Sequence, residues 1–79
     1  MKTTKLDLAA ALISHGAGLE KVDRSDPRHM EFHLIFSGPY APEDEWFKAR
    51  VALWEKRELL VNVRDYVDAQ QKLKSEVHK

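Results

Sequence analysis

Four histidines, His15, His29, His33 and His78, are the residues best able to ligate a metal or move a proton near neutral pH. No pair of them stands at short spacing on one helix face, and a metal site needs several ligands converging on one point. His33 shares an extended-chain face with Glu31 and reads as a solvated or partly covered strand position, while His15 complements the negative end of a helix dipole. Ser14, Ser25, Ser37 and Ser75 lack the strained Gly-x-Ser-x-Gly turn that exposes a nucleophile, and cysteine is absent. Gly16-Ala17-Gly18 leads into a strand, whereas the dinucleotide fingerprint needs a strand before its glycines and a helix after them. The acidic run Glu43-Asp44-Glu45 spreads its carboxylates about 100° apart on a helix, which suits a first-turn dipole and not a common ligand. The expectation is no catalytic residue, no metal and no cofactor: a protein that is not an enzyme.

The least ordinary pattern surrounds Arg50, four residues after Trp46 and four before Trp54, with Arg57 close to the same helical line. Two indoles can flank one guanidinium, and a cation over a Trp face gains roughly 0.5–2 kcal/mol. The structural reading is a stack at the edge of the core, because a small domain needs its aromatics inside. The functional reading is a partner-binding face of Trp46, Arg50, Trp54 and Arg57, since Trp and Arg dominate interface hot spots.

These residues need elements to position them. Met30, Phe32, Leu34 and Phe36 alternate with Glu31, His33 and Ser37, so Met30–Phe36 reads as a central strand with one apolar face. Ile35 breaks the pattern, which predicts that the outer face is covered by a third segment or by another subunit; Glu31, His33 and Ile35 are therefore candidate contact residues. Thr4 and Asp7 resemble a capping box, and Leu6, Leu8, Ala9, Ala10, Leu12 and Ile13 cover so wide an arc that the first helix needs contacts on two sides. Gly16 stands where a left-handed C-cap is wanted. Leu19 to Arg24 is the return strand of an antiparallel hairpin. Leu19 and Val22 are three apart, so either the strand carries a bulge or Leu19 belongs to the loop. Arg24 to His29, with Pro27, makes the hairpin loop, and Ser37 to Pro42 ends the central strand.

Pro42 and the acids after it open a second helix that stops near Lys56 to Glu58, with Leu53, Trp46, Trp54, Phe47 and Val51 on its apolar arc. Leu59 to Val61 is either a short third strand pairing with the hairpin edge or a tight helix–helix connection. Asn62 caps a third helix running to about Glu76, with Val63, Tyr66, Ala69, Leu73 and Val77 at helical spacing. The fold class is α+β: helix, antiparallel β-hairpin, then two helices, packed on one face of a small sheet, with a possible short third strand near Leu60.

Lys2-Thr3-Thr4, Leu6, Leu8-Ala9-Ala10, Leu12-Ile13 and Gly16, followed by Phe32 to Phe36, Trp54, Val61-Asn62 and then Ala69, Leu73 and Lys74, resemble a family of small domains of unknown function from phages, prophages and other bacterial mobile elements. The matching positions are core and cap residues, so the resemblance implies a fold and a mobile-element accessory role but no site residue. The family pattern has an acid where Lys5 stands and often a Gly near Lys56; the second departure bears on where the second helix ends.

With 79 residues the chain is expected to form one compact domain, residues 1–79. A core of this size rarely leaves more than about 3–5 kcal/mol of net stability, so a homodimer is a live expectation. Thirteen basic and thirteen acidic side chains give a formal charge of zero, which removes the Lys and Arg excess that drives non-specific nucleic-acid binding. A nucleic-acid-binding accessory factor stays as the alternative, requiring Arg24 and Arg28, or Arg50, Arg57, Arg64 and Lys72, to gather on one face. Lys2, Lys5 and the apolar run from Leu8 superficially resemble a signal peptide, but Asp7 and the short run argue against it, and no stretch is long enough to span a bilayer. The expected function is that of a cytoplasmic, non-enzymatic protein acting by protein–protein interaction, its partner unknown or a second copy of itself.

Overall fold

Five consecutive side chains, Leu8 to Leu12, are buried, which a helix lying on one surface could not achieve. They belong to the first helix of a computed structural model that describes residues 1–26, 28–38 and 42–77. Pro27 of the expected hairpin loop, residues 39–41 of the connection after the central strand, and His78 lie outside these. Along the chain come β1 (Lys2–Thr3), α1 (Leu6–Ser14), β2 (Gly18–Asp23), β3 (Glu31–Ile35), α2 (Glu43–Glu55) and α3 (Val63–Val77). The α+β class holds, with α1 touching the sheet through β1 and β3 and the other two helices as well. The wide apolar arc thus has its contacts on two sides.

The sheet is antiparallel throughout in the order β1-β3-β2. Its third strand is β1, and Leu59 to Val61 forms no strand, so of the two readings of that run the short third strand near Leu60 does not hold. β1 is too short to show a periodicity; it is held by pairing, with the Leu34 amide donating to the Met1 carbonyl at 2.7 Å and the Met1 nitrogen donating to the Leu34 carbonyl at 2.9 Å. The residues after α2 are spent on closing it. Arg57 N–H donates to the Trp54 carbonyl at 2.9 Å and Glu58 N–H to the Leu53 carbonyl at 2.8 Å, with Arg57 left-handed at φ 60°. Asn62 then caps α3, its Oδ1 accepting from Asp65 N–H at 3.1 Å. Between these two caps the Leu60 carbonyl accepts from His15 Nε2 at 2.6 Å.

β2 and β3 pair as expected, and the bulge is present. Leu19 lies opposite Leu34, but Lys21 lies opposite His33, so Glu20 is the extra residue. Without it every side chain beyond Leu19 would change face. With it, both Leu19 and Val22 turn inward beside Phe32 and Leu34, and Asp23 turns outward opposite Glu31.

Some local expectations change. The capping box at Thr4 and Asp7 does not form: Lys5 is the N-cap residue, and its N–H donates to Thr3 Oγ1 at 3.1 Å. Gly16 does close α1 in the left-handed region at φ 115°, its N–H bonded to the Ile13 carbonyl and Ala17 N–H to the Leu12 carbonyl. Pro42 precedes α2 as its N-cap instead of opening its first turn, and Glu43, Asp44 and Glu45 fill that turn. The core is Leu8, Leu12, Phe32, Leu34, Trp46, Phe47 and Leu73 with the alanines of α1, Ala17 and Ala69 around them. Leu53, placed on the apolar arc of α2 by its spacing, is 40% exposed, while Val51 and Trp54 on the same half of α2 are partly buried against the core.

Candidate functional site

α2 divides the residues its spacing had grouped. Trp46 is buried at the N-terminal end, where it stacks on Phe36 with ring centroids 4.0 Å apart and planes 13° apart, and meets Phe47 edge-on at 5.0 Å. Gly38 lies so close to the Phe36 ring that a Cβ added there would clash with it. Arg50 lies over Trp46 at 4.0 Å from the ring centroid, with Nη1 donating to the Trp46 carbonyl at 3.4 Å. Of the two indoles flanking Arg50 in sequence, Trp46 is the one that takes the guanidinium. Trp46 thus belongs to the core, and Arg50 is partly buried over its ring.

Trp54 and Arg57 sit at the other end of α2, where half-buried Trp54 faces a hollow of about 470 Å³. Its walls are Lys5 at the start of α1, Glu55 and Arg57 at the end of α2, and Leu59 of the following connection. Sequence reasoning reached Trp54 and Arg57 but not Lys5 or Leu59, which are distant in the chain and meet only because α1 begins where α2 stops. The signal that could have found Leu59 is the short Leu59-Leu60-Val61 run: an apolar run outside a strand and a helix must either pack or present itself. Here Leu59 is partly buried while Leu60 stands 85% exposed, with Val63 and Val67 of α3 also exposed. The hollow offers an indole and an aliphatic surface, two cations and one anion.

A second grouping lies on the outer face of the sheet. Glu31, His33 and Ile35 project there as alternation requires, and Ile35 is 43% exposed, leaning over Gly18 of the facing strand. His33, at the centre of the sheet, is only 9% exposed although it is on the outer face. Its register partners Lys2 and Lys21 stand on either side of it. His33 Nε2 and Glu31 Oε1 are 3.0 Å apart. The bulge brings Asp23 to the same place, so donor atoms of Asp23, Glu31 and His33 all lie within 4.8 Å of one another. Asp23 Oδ1 also accepts from Ser25 N–H at 2.9 Å and from Ser25 Oγ at 2.5 Å. The Ser25 hydroxyl and amide hold the Asp23 carboxyl below its usual range, against a smaller opposing effect of burial. Glu31 and His33 were legible as neighbours; Asp23 was not, because its face depends on one bulged residue.

Two of the basic residues have partners of their own. Arg24 donates to the Glu76 carbonyl at the end of α3, and Arg50 is committed to Trp46. No helix among the described residues is long and apolar enough to cross a membrane. No protein-family model, curated protein or solved structure matches the chain.

Proposed function

We propose that this chain is a small non-enzymatic interaction module that grips a protein partner in the hollow at the C-terminal end of α2. The observation that supports it is the pairing of half-buried Trp54 with Leu59 under a rim of Lys5, Arg57 and Glu55. Trp and Arg contribute most to interface hot spots when a pocket excludes water around them, and the rim carries a net positive charge. The complementary partner is a segment presenting an apolar side chain beside a carboxylate. Exposed Leu53, Leu60 and Val63 supply further apolar surface. In the biological setting taken from the family resemblance, the module is a cytoplasmic accessory protein of a phage or other mobile element.

The test compares partner capture by the wild-type chain with capture by Trp54→Ala and Arg57→Glu, with thermal unfolding of each variant measured alongside. The reading expects one captured protein to be lost from both variants while melting temperatures move little. Capture that survives both substitutions, or no partner for the wild-type chain, sinks it. Retention of DNA or RNA at low salt, lost as salt rises, would instead favour the nucleic-acid alternative.

A further inference from the structure

We infer that the outer face of the hairpin carries a divalent-metal site, in which His33, Glu31 and Asp23 ligate one zinc-class cation. The site is separate from the hollow beside Trp54 and does not depend on the function proposed for it.

Three features of the fold converge on this point. His33 is fixed in the central strand and nine-tenths buried, so its imidazole has little freedom and is presented to the carboxylates already oriented. Glu31 lies two residues before it on the same face, with Oε1 at 3.0 Å from Nε2. Asp23 is the register partner of Glu31, and the two Ser25 hydrogen bonds hold its Oδ1 from behind. A carboxylate steadied in this way from outside the donor set is what orients ligands in protein metal sites.

The geometry leaves little to adjust. Metal–donor bonds of about 2.0–2.2 Å in a tetrahedral site put the donors about 3.3–3.6 Å apart. The His33–Glu31 pair is already inside that separation, and no donor pair exceeds 4.8 Å. A turn of the partly exposed Glu31 and Asp23 side chains closes the remainder. A cation takes the Nε2 lone pair, so it binds the tautomer that leaves this nitrogen free of its proton.

The donor set selects the class of ion. One imidazole nitrogen with two carboxylate oxygens suits zinc and its first-row neighbours, whereas calcium and magnesium prefer oxygens alone. Three protein ligands leave a fourth position for water. Lys2 and Lys21 beside His33 oppose a cation, but their ammonium groups ride on flexible stems that can swing away into solvent. A bound ion would tie β2 to β3 just before the connection between them.

The experiment is a calorimetric titration of Zn²⁺ alone into the full chain, with His33 imidazole NMR signals followed during Zn²⁺ and Co²⁺ additions. One equivalent should bind per chain, and the His33 signals should shift with Zn²⁺ and broaden with Co²⁺. Asp23→Asn and Glu31→Gln, which keep side-chain shape, should each weaken binding about tenfold or more. Melting temperatures in chelator confirm that these variants are folded, so the test does not hang on replacing buried His33. The inference is overturned by the absence of saturable binding, by an affinity unchanged in both folded variants, or by His33 signals that stay in place while zinc binds elsewhere.

Discussion

α1 and α2 differ in a way their lengths conceal. α1 has nine residues and buries five in succession between the sheet and α3; α2 has thirteen and buries only Trp46 and Phe47, both near its start. Both helices end in the same pair of closing hydrogen bonds around a left-handed residue, but in α1 that residue is Gly16 and in α2 it is Arg57. A side chain in the left-handed region costs roughly 1 kcal/mol relative to glycine. The shorter helix is therefore the more deeply buried, and the longer one is fully buried only near its start; farther along, Val51 and Trp54 are partly covered against the core and the end, closed at some cost, walls a hollow. Anchoring follows from how many sides of a helix are covered, and not from how many turns it has.

The comparison breaks most readily at the core. Leu12→Ala should lower unfolding free energy by about 3–5 kcal/mol, while Leu53→Ala, the same change at an exposed position of α2, should move it by only about 0.5 kcal/mol. Denaturant unfolding of the two variants measures both; equal losses would mean that α2 is packed along its whole length.

The matched caps offer a smaller and sharper contrast. Gly16→Ala should destabilise by about 1 kcal/mol, and Arg57→Gly should stabilise by a similar amount, because each exchange puts the unfavourable or the favourable residue into the left-handed position. Opposite shifts of melting temperature are the expected result. A loss in Arg57→Gly would show that the Arg57 side chain makes contacts worth more than its backbone strain.

The seam between α1 and α3 has the smallest signature. Gln70 Nε2 donates to the Tyr66 hydroxyl at 3.2 Å and to Asp7 Oδ1 at 3.5 Å. Burial first, and the Asp7 charge second, push the Tyr66 phenol above its usual value, outweighing the Gln70 hydrogen bond. The folded state thus holds this proton more tightly than the unfolded chain does. That contribution to stability is complete below about pH 10, the unfolded tyrosine value, and is lost as pH rises through the folded one. Phenolate absorbance should show a late-titrating tyrosine in the native chain that disappears in urea and in Tyr66→Phe.

Much of this architecture was legible because it rests on local chemistry. Gly16 and Asn62 announced their caps, the alternation of Phe32 and Leu34 announced the central strand, and the three-residue gap from Leu19 to Val22 announced a bulge as one of two readings. What was hidden rests on pairing between distant segments. β1 has two residues and exists only because Met1 and Leu34 exchange hydrogen bonds. Leu59 to Val61 has strand-like composition, but it belongs to no strand and its Leu60 carbonyl accepts from His15 instead. The candidate sites divide along the same line. Trp54 and Arg57 could be read from helical spacing, whereas Lys5 and Leu59 come to them only through the fold, and Asp23 reaches Glu31 only through an extra residue in β2.

The bond from His15 to the Leu60 carbonyl makes the protein its own reporter. A carbonyl can only accept, so Nε2 carries a proton in this contact, 2.6 Å from its partner. Leu60 follows directly on Leu59 in the wall of the hollow. Any guest that displaces that wall will stretch this bond, and the His15 nitrogen and proton resonances will register occupancy at a distance, with no label introduced at the binding surface.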